Sequence, residues 1–236
     1  MITLDEALDR LLHLRSYRRA FLEWRYRELD LSNEDLVALS TIDREQLVRT
    51  AERVIQDLLA RRHCGSGGLL ELYPRTLEAW NRSRPEDESF AELMATFLES
   101  AAFQGYRQVP FAGLGWSLEE AFFAFCESAE IGDPITRERE FLAAMLRALA
   151  VCPTAAFRIP DCVHRAAAGW FAISRRGTPI LYAAARGRFM TGTITPFLAE
   201  LLEEDRPAEV ARRHGVPAAV LDASLSQLEA MGLLPS

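Results

Sequence analysis

The chain has 236 residues, 49% apolar and 26% charged, so it is long enough for one large or two ordinary domains with buried cores and too apolar to be disordered. All 27 basic residues are arginine. Without lysine there is no Walker-A phosphate lysine, no Schiff base or pyridoxal-phosphate anchor and no kinase-type lysine–glutamate pair; what remains is guanidinium chemistry, suited to carboxylates, phosphates and aromatic faces.

The net charge of −7 is unevenly divided: residues 1–153 hold 18 Arg against 26 acids, and residues 154–236 hold nine against eight. The near-neutral second part is the better match to an acidic peptide or a nucleic acid. Four cysteines, Cys64, Cys126, Cys152 and Cys162, do not make a disulfide scaffold and fit a reducing cytoplasm. Met1–Arg10 starts acidic and has no apolar core, so it does not read as a signal peptide, and no run of about 18 apolar residues predicts a membrane span.

From Thr3 to about Asp30, apolar residues at three-and-four spacing predict an amphipathic helix or a bent pair. Ser32 with Asp35, and Ser40 with Asp43, resemble capping boxes that open a short helix and then a longer one through Leu59. Cys64–Gly68 is a glycine-rich break. It lacks the preceding strand and the spacing of a phosphate loop, so a helix connection is the expectation. Helices follow over Leu69–Trp80 and Phe90–Phe103, then an irregular aromatic segment, Gly105–Trp116. Ser117 caps the next helix, through Cys126, and Thr136 starts another that stops at Pro153.

Beyond Pro153 the texture changes. Trp170–Ser174 and Pro179–Ala184 read as strands of a hairpin turned at Arg175–Thr178, with a third extended piece over Arg188–Thr193. Thr195 caps a helix with Pro196 at its first position; a second short helix over Pro207–His214, a turn at Gly215 and a last helix over Pro217–Met231 complete helix-turn-helix punctuation. The fold class is therefore α+β: a helical N-terminal domain (residues 1–153) followed by a C-terminal winged-helix-like domain (154–236) with a small β-sheet.

Chemistry-bearing groups are few. Cys152, Cys162 and His164 could form a metal site, but the nine residues between the cysteines and the lack of a second close pair depart from structural-zinc spacing. There is no GxSxG, HExxH or HxE with PCxxC. Aromatics from Trp24 to Phe125 at helical spacing read as core, with Gly105–Trp116 the candidate exposed surface. As a DNA binder the C-terminal module would place its last helix in the major groove and Arg175 and Arg176 on a wing. That helix holds no arginine and two acids, Asp222 and Glu229, whereas a groove helix needs phosphate neutralisation and base-edge donors. A wedge between a strand and a non-basic helix is better suited to capturing an extended peptide by strand addition.

Leu70–Leu77 (LELYPRTL), Phe90–Leu93, Phe97-Leu98 and Leu118–Phe125, with the tail Phe197–Leu202, Pro207–Ala211 and Leu225–Leu234, resemble a family often labelled DNA-binding. That wider group includes the methanobactin C-subunit, and its members are partner subunits of TIM-barrel multinuclear non-heme iron oxygenases that modify ribosomally made peptides. The resemblance, over some two thirds of the chain, implies a non-catalytic partner in RiPP biosynthesis that forms a heterodimer with the oxygenase and recognises the leader of a precursor peptide. It places the iron ligands in the other subunit, so no cofactor or metal is expected here. Alternation along the strand and helical spacing nominate Ile180, Tyr182 and Ala184 with Leu221, Ser224 and Gln227 as peptide contacts. The helical surface, including Gly105–Trp116, would dock the enzyme. A winged-helix transcriptional regulator that binds DNA, and an enzyme with its own metal at Cys152, Cys162 and His164, are the competing readings.

Overall fold

A computed structural model describes residues 1–60, 68–82, 90–107, 115, 117–152 and 157–234. These form thirteen α-helices and one four-stranded sheet. The first 60 residues hold α1 (Leu4–His13), α2 (Arg15–Leu22), a 3-10 turn at Tyr26–Glu28, α3 (Asn33–Ser40) and α4 (Arg44–Ala60). The first amphipathic stretch is a bent pair. Leu14 is extended between α1 and α2, and Arg18 donates from its guanidinium to the freed carbonyls of Leu11 and Leu12. Ala7, Leu11, Phe21, Leu29 and Leu39 make the small core of this part. Ser32 accepts from the Asp35 N–H, as its spacing predicts. Ser40 does not cap: it ends α3 and its hydroxyl donates back to the Val37 carbonyl, while the Asp43 carboxylate accepts from the Gln46 N–H and opens α4.

Next come α5 (Leu69–Leu72), α6 (Pro74–Arg82), α7 (Phe90–Glu99), α8 (Ala101–Arg107), α9 (Leu118–Ser128) and α10 (Pro134–Val151). Two stretches that read as single helices are broken. At Tyr73 the chain leaves the helical region, and Pro74 starts a new helix without an N–H to satisfy. At Ser100 the hydroxyl donates to the Phe97 carbonyl and accepts from the Phe103 N–H, closing α7 and opening α8. Gly105 lies inside α8. Residues 108–114 and Trp116 of the aromatic segment, and Cys64–Gly67 of the glycine-rich break, lie outside the described residues. Asp133, not Thr136, caps α10; its carboxylate accepts from both the N–H and the hydroxyl of Thr136.

One side chain of α10 fixes α6. The Glu140 carboxylate accepts from the Arg75 N–H at 2.8 Å, the Thr76 N–H at 3.0 Å and the Thr76 hydroxyl at 2.6 Å. Thr76 is fully buried, so its hydroxyl has no solvent to fall back on. Glu140→Ala is therefore expected to destabilise the chain by about 2 kcal/mol. Chemical denaturation measures this, and a loss under about 0.5 kcal/mol would show the carboxylate not to be the cap.

The last third opens with a meander in chain order, β1 (His164–Ala166), β2 (Gly169–Ser174), β3 (Ile180–Ala185) and β4 (Arg188–Thr193), every pair antiparallel. Three helices follow, α11 (Pro196–Glu203), α12 (Pro207–Arg213) and α13 (Ala218–Met231). Thr195 accepts from the Leu198 N–H, and Gly232, at φ 79°, ends α13 in the left-handed region. The sheet is a middle layer. Ala172, Tyr182 and Ala184 join the aromatic core of Phe97, Phe122, Phe125 and Met145, whereas Phe171, Leu181, Ala183 and Ala185 pack with Phe197, Leu201, Val210 and Leu228 of α11–α13. Burial on both faces is why β3 reads as an uninterrupted apolar run, ILYAAA. The larger core runs continuously from Leu69 to Ala184, across residue 153. No helix among the described residues is long and apolar enough to cross a membrane.

Candidate peptide-binding edge

The turn between β3 and β4 decides which backbone groups are free. Arg186 and Gly187 both have positive φ, 53° and 71°, the two-residue turn that matches strand twist. Its closing pair, Ala185 and Arg188, is hydrogen-bonded, so Met190 and Gly192 also face β3; the Ile194 N–H donates to the Pro179 carbonyl at 3.0 Å and keeps that parity. Phe189, Thr191 and Thr193 consequently turn their N–H and C=O groups outward, where no strand lies among the described residues. Three residues' unpaired backbone groups along a six-residue edge strand make a template for an added strand.

Each face of this edge is shaped. On the α13 side lies a groove of about 230 Å³ lined by Met190, Ile194, Leu198, Leu202, Leu228 and Met231, with Ser224 and Gln227 at its polar margin. On the α10 side lies a cleft of about 400 Å³ between β3, β4, α6 and α10. Arg75, Arg139 and Arg147 line that cleft with Glu71, Glu140, Tyr182 and Phe189. The Arg147 guanidinium sits 5.1 Å from the centre of the Phe189 ring. Arg139 donates to the carbonyl of Arg176 at 2.9 Å, and its Nε is buried without a partner.

The nominated residues divide between these surfaces. Ser224 and Gln227 line the apolar groove, while Leu221 is half-buried against the core beneath α13 and is not on the groove. Ile180, Tyr182 and Ala184 do alternate, but onto the α10 face: Ile180 and Tyr182 border the arginine cleft and Ala184 is buried. They also sit on the wrong strand for strand addition. β3 is paired along its whole length to both β2 and β4, so its backbone has nothing left to offer an incoming chain. The open edge is β4, and ILYAAA followed by RFMTGT carries the signal for it: a continuous apolar run belongs in the middle of a sheet and a polar, glycine-containing strand at its edge.

Three arginines of the last third pair with carboxylates of this chain. Arg175 pairs with Glu203, Arg176 with Glu138 at 3.0 Å, and Arg213 with Glu204 at 2.5 Å and Glu200 at 3.3 Å. Arg175 and Arg176, already paired with carboxylates, have less to offer a phosphate backbone. Cys152, Cys162 and His164 do not assemble into a ligand group, and no cluster of three or more His, Cys, Asp or Glu side chains fit to hold a metal occurs among the described residues. Burial pushes the Cys126 thiol up to about 12, away from the thiolate a nucleophile needs.

Comparison with known proteins finds no matching family model, no matching curated protein and no matching solved structure.

Proposed function

We propose that this chain is a non-catalytic peptide-binding protein that captures an extended segment as a fifth strand on β4 and presents it to a partner enzyme. The observation that carries the reading is the outward backbone of Phe189, Thr191 and Thr193 beside the apolar groove under α13. Main-chain hydrogen bonds supply affinity in such a complex and the groove supplies register. In this reading the sheet with α11–α13 is a winged-helix-like recognition module, the peptide is a ribosomally made precursor in the cytoplasm, and the enzyme is a TIM-barrel iron oxygenase, as the family resemblance implies.

Selection of the full chain against a displayed library of random 12-residue peptides tests the binding step. Enriched peptides should bind the wild type and lose at least tenfold in affinity to Thr191→Pro, which removes one outward N–H while leaving the β3 ladder intact. Circular dichroism should show that variant folded. Enrichment no greater than that on Thr191→Pro would overturn the proposal. So would tight, steeply salt-dependent binding of duplex DNA, which would favour a transcriptional regulator.

A further inference from the structure

We infer that the segment captured at β4 alternates apolar and acidic side chains, with the acids received by the arginine cleft beside α10. The inference rests on the strand-addition reading and deepens it. Cross-strand neighbours in a sheet share a face. Peptide side chains opposite Met190 and Gly192 therefore point to the α13 side, into the groove of Leu198, Leu202 and Met231. Those opposite Phe189, Thr191 and Thr193 point to the α10 side, where Phe189 and Thr191 border the cleft.

The charge of that cleft decides what it accepts. Three guanidinium groups face two carboxylates, and one of these, Glu140, is already engaged by three donors of α6. Arg147 and Arg75 are exposed and hold no carboxylate among the described residues; Arg147 is positioned against Phe189, the residue at the start of the free edge. Arg139 adds a buried Nε–H without an acceptor. A planar fork beside an unpaired strand suits a carboxylate carried on that strand, because charge-assisted bonds from guanidinium to carboxylate are among the stronger polar contacts. The two faces of β4 thus impose different chemistry at successive positions.

Two fluorescein-labelled peptides test this, one with three Val-Glu repeats and one with three Val-Gln repeats, each between Gly-Ser ends and each six residues long in its repeat, the length of β4. In fluorescence anisotropy at about 50 mM salt the Glu peptide should bind the full chain about tenfold more tightly than the Gln peptide. That ratio should fall to less than about twofold in Arg147→Gln and stay several-fold in Arg147→Lys, which keeps the charge. Equal binding of the two peptides by the wild type, both still lost in Thr191→Pro, overturns the acidic specificity and leaves strand addition standing. Library-selected peptides that bind through β4 while the Glu peptide does not would overturn the alternation alone. If neither the peptides nor the library bind, strand addition itself has failed and this inference falls with it.

Discussion

Replacing Gly169 with alanine is expected to destabilise the protein by about 3–5 kcal/mol, a loss large enough for a single methyl to be diagnostic of its mechanism. A Cβ on Gly169 would lie 1.9 Å from the Ala184 carbonyl oxygen and 2.9 Å from the Ala185 Cα. Both neighbours are backbone of the central strand, so nothing can swing aside; β2 must separate from β3 where Gly169 pairs with Ala185. The same corner anchors the end of α13. The Ala168 N–H donates to the Gly232 carbonyl at 2.9 Å, and the Arg186 N–H to the Ala168 carbonyl at 3.1 Å. Displacement there moves α13 relative to β4, and with it the groove. The melting temperature should drop by roughly 10 °C in a chain of this size, with peptide capture weakened in the protein that stays folded. A melting temperature within about 2 °C of the wild type would show that the two strands do not approach this closely.

How far the sequence alone reaches varies with the range of the interaction. Helix periodicity, the Ser32, Ser117 and Thr195 caps, the β2–β3 hairpin and the later strand are local signals, and each corresponds to an observed element. Local competition between acceptors is harder to read: near Ser40 and at Thr136 the carboxylate of an aspartate three residues away takes the capping role, while the Ser40 hydroxyl donates back to its own helix. β1 is three residues, His-Arg-Ala, whose pairing comes from β2 and not from any strand pattern of its own.

The open edge of β4 is hidden from alternation in the sequence for a different reason. Alternation identifies which side chains share a face but not which face meets which layer, and nothing in the strand pattern marks α10 as the layer over the sheet. That layer also carries guanidinium groups to the sheet edge. Of the arginines after residue 153, Arg175, Arg176 and Arg213 pair with carboxylates of this chain, and the cleft beside Phe189 and Thr191 draws its guanidinium groups from α6 and α10 in the acidic part of the chain. Net charge counted along a sequence says little about the charge at a cleft built from both ends of that count.

Phe97→Ala should bring the second large loss, about 3–5 kcal/mol, and its distribution over the molecule matters as much as its size. Phe97 is fully buried in α7, with ring centres 5.1 Å from Phe103, 5.1 Å from Phe122 and 5.4 Å from Phe125. Truncation removes the transfer free energy of one ring and three aromatic contacts, and leaves a cavity walled by side chains from two neighbouring helices, α8 and α9, that cannot all collapse into it. The same cluster includes Ala172, Tyr182 and Ala184 of the sheet. If the core acts as one cooperative unit, hydrogen exchange in Phe97→Ala should accelerate together in α7, α9 and β3, and peptide affinity at β4 should weaken along with global stability. If the accelerated amides stop at the helices while β3 keeps its protection, the packing that crosses residue 153 is not cooperative. The sheet with α11–α13 would then hold its own stability, and a helical part loosened by mutation would leave the proposed peptide capture intact. Those two patterns differ residue by residue in one exchange experiment, and they decide whether an enzyme docked on the helices could influence the edge strand through the α10–sheet interface.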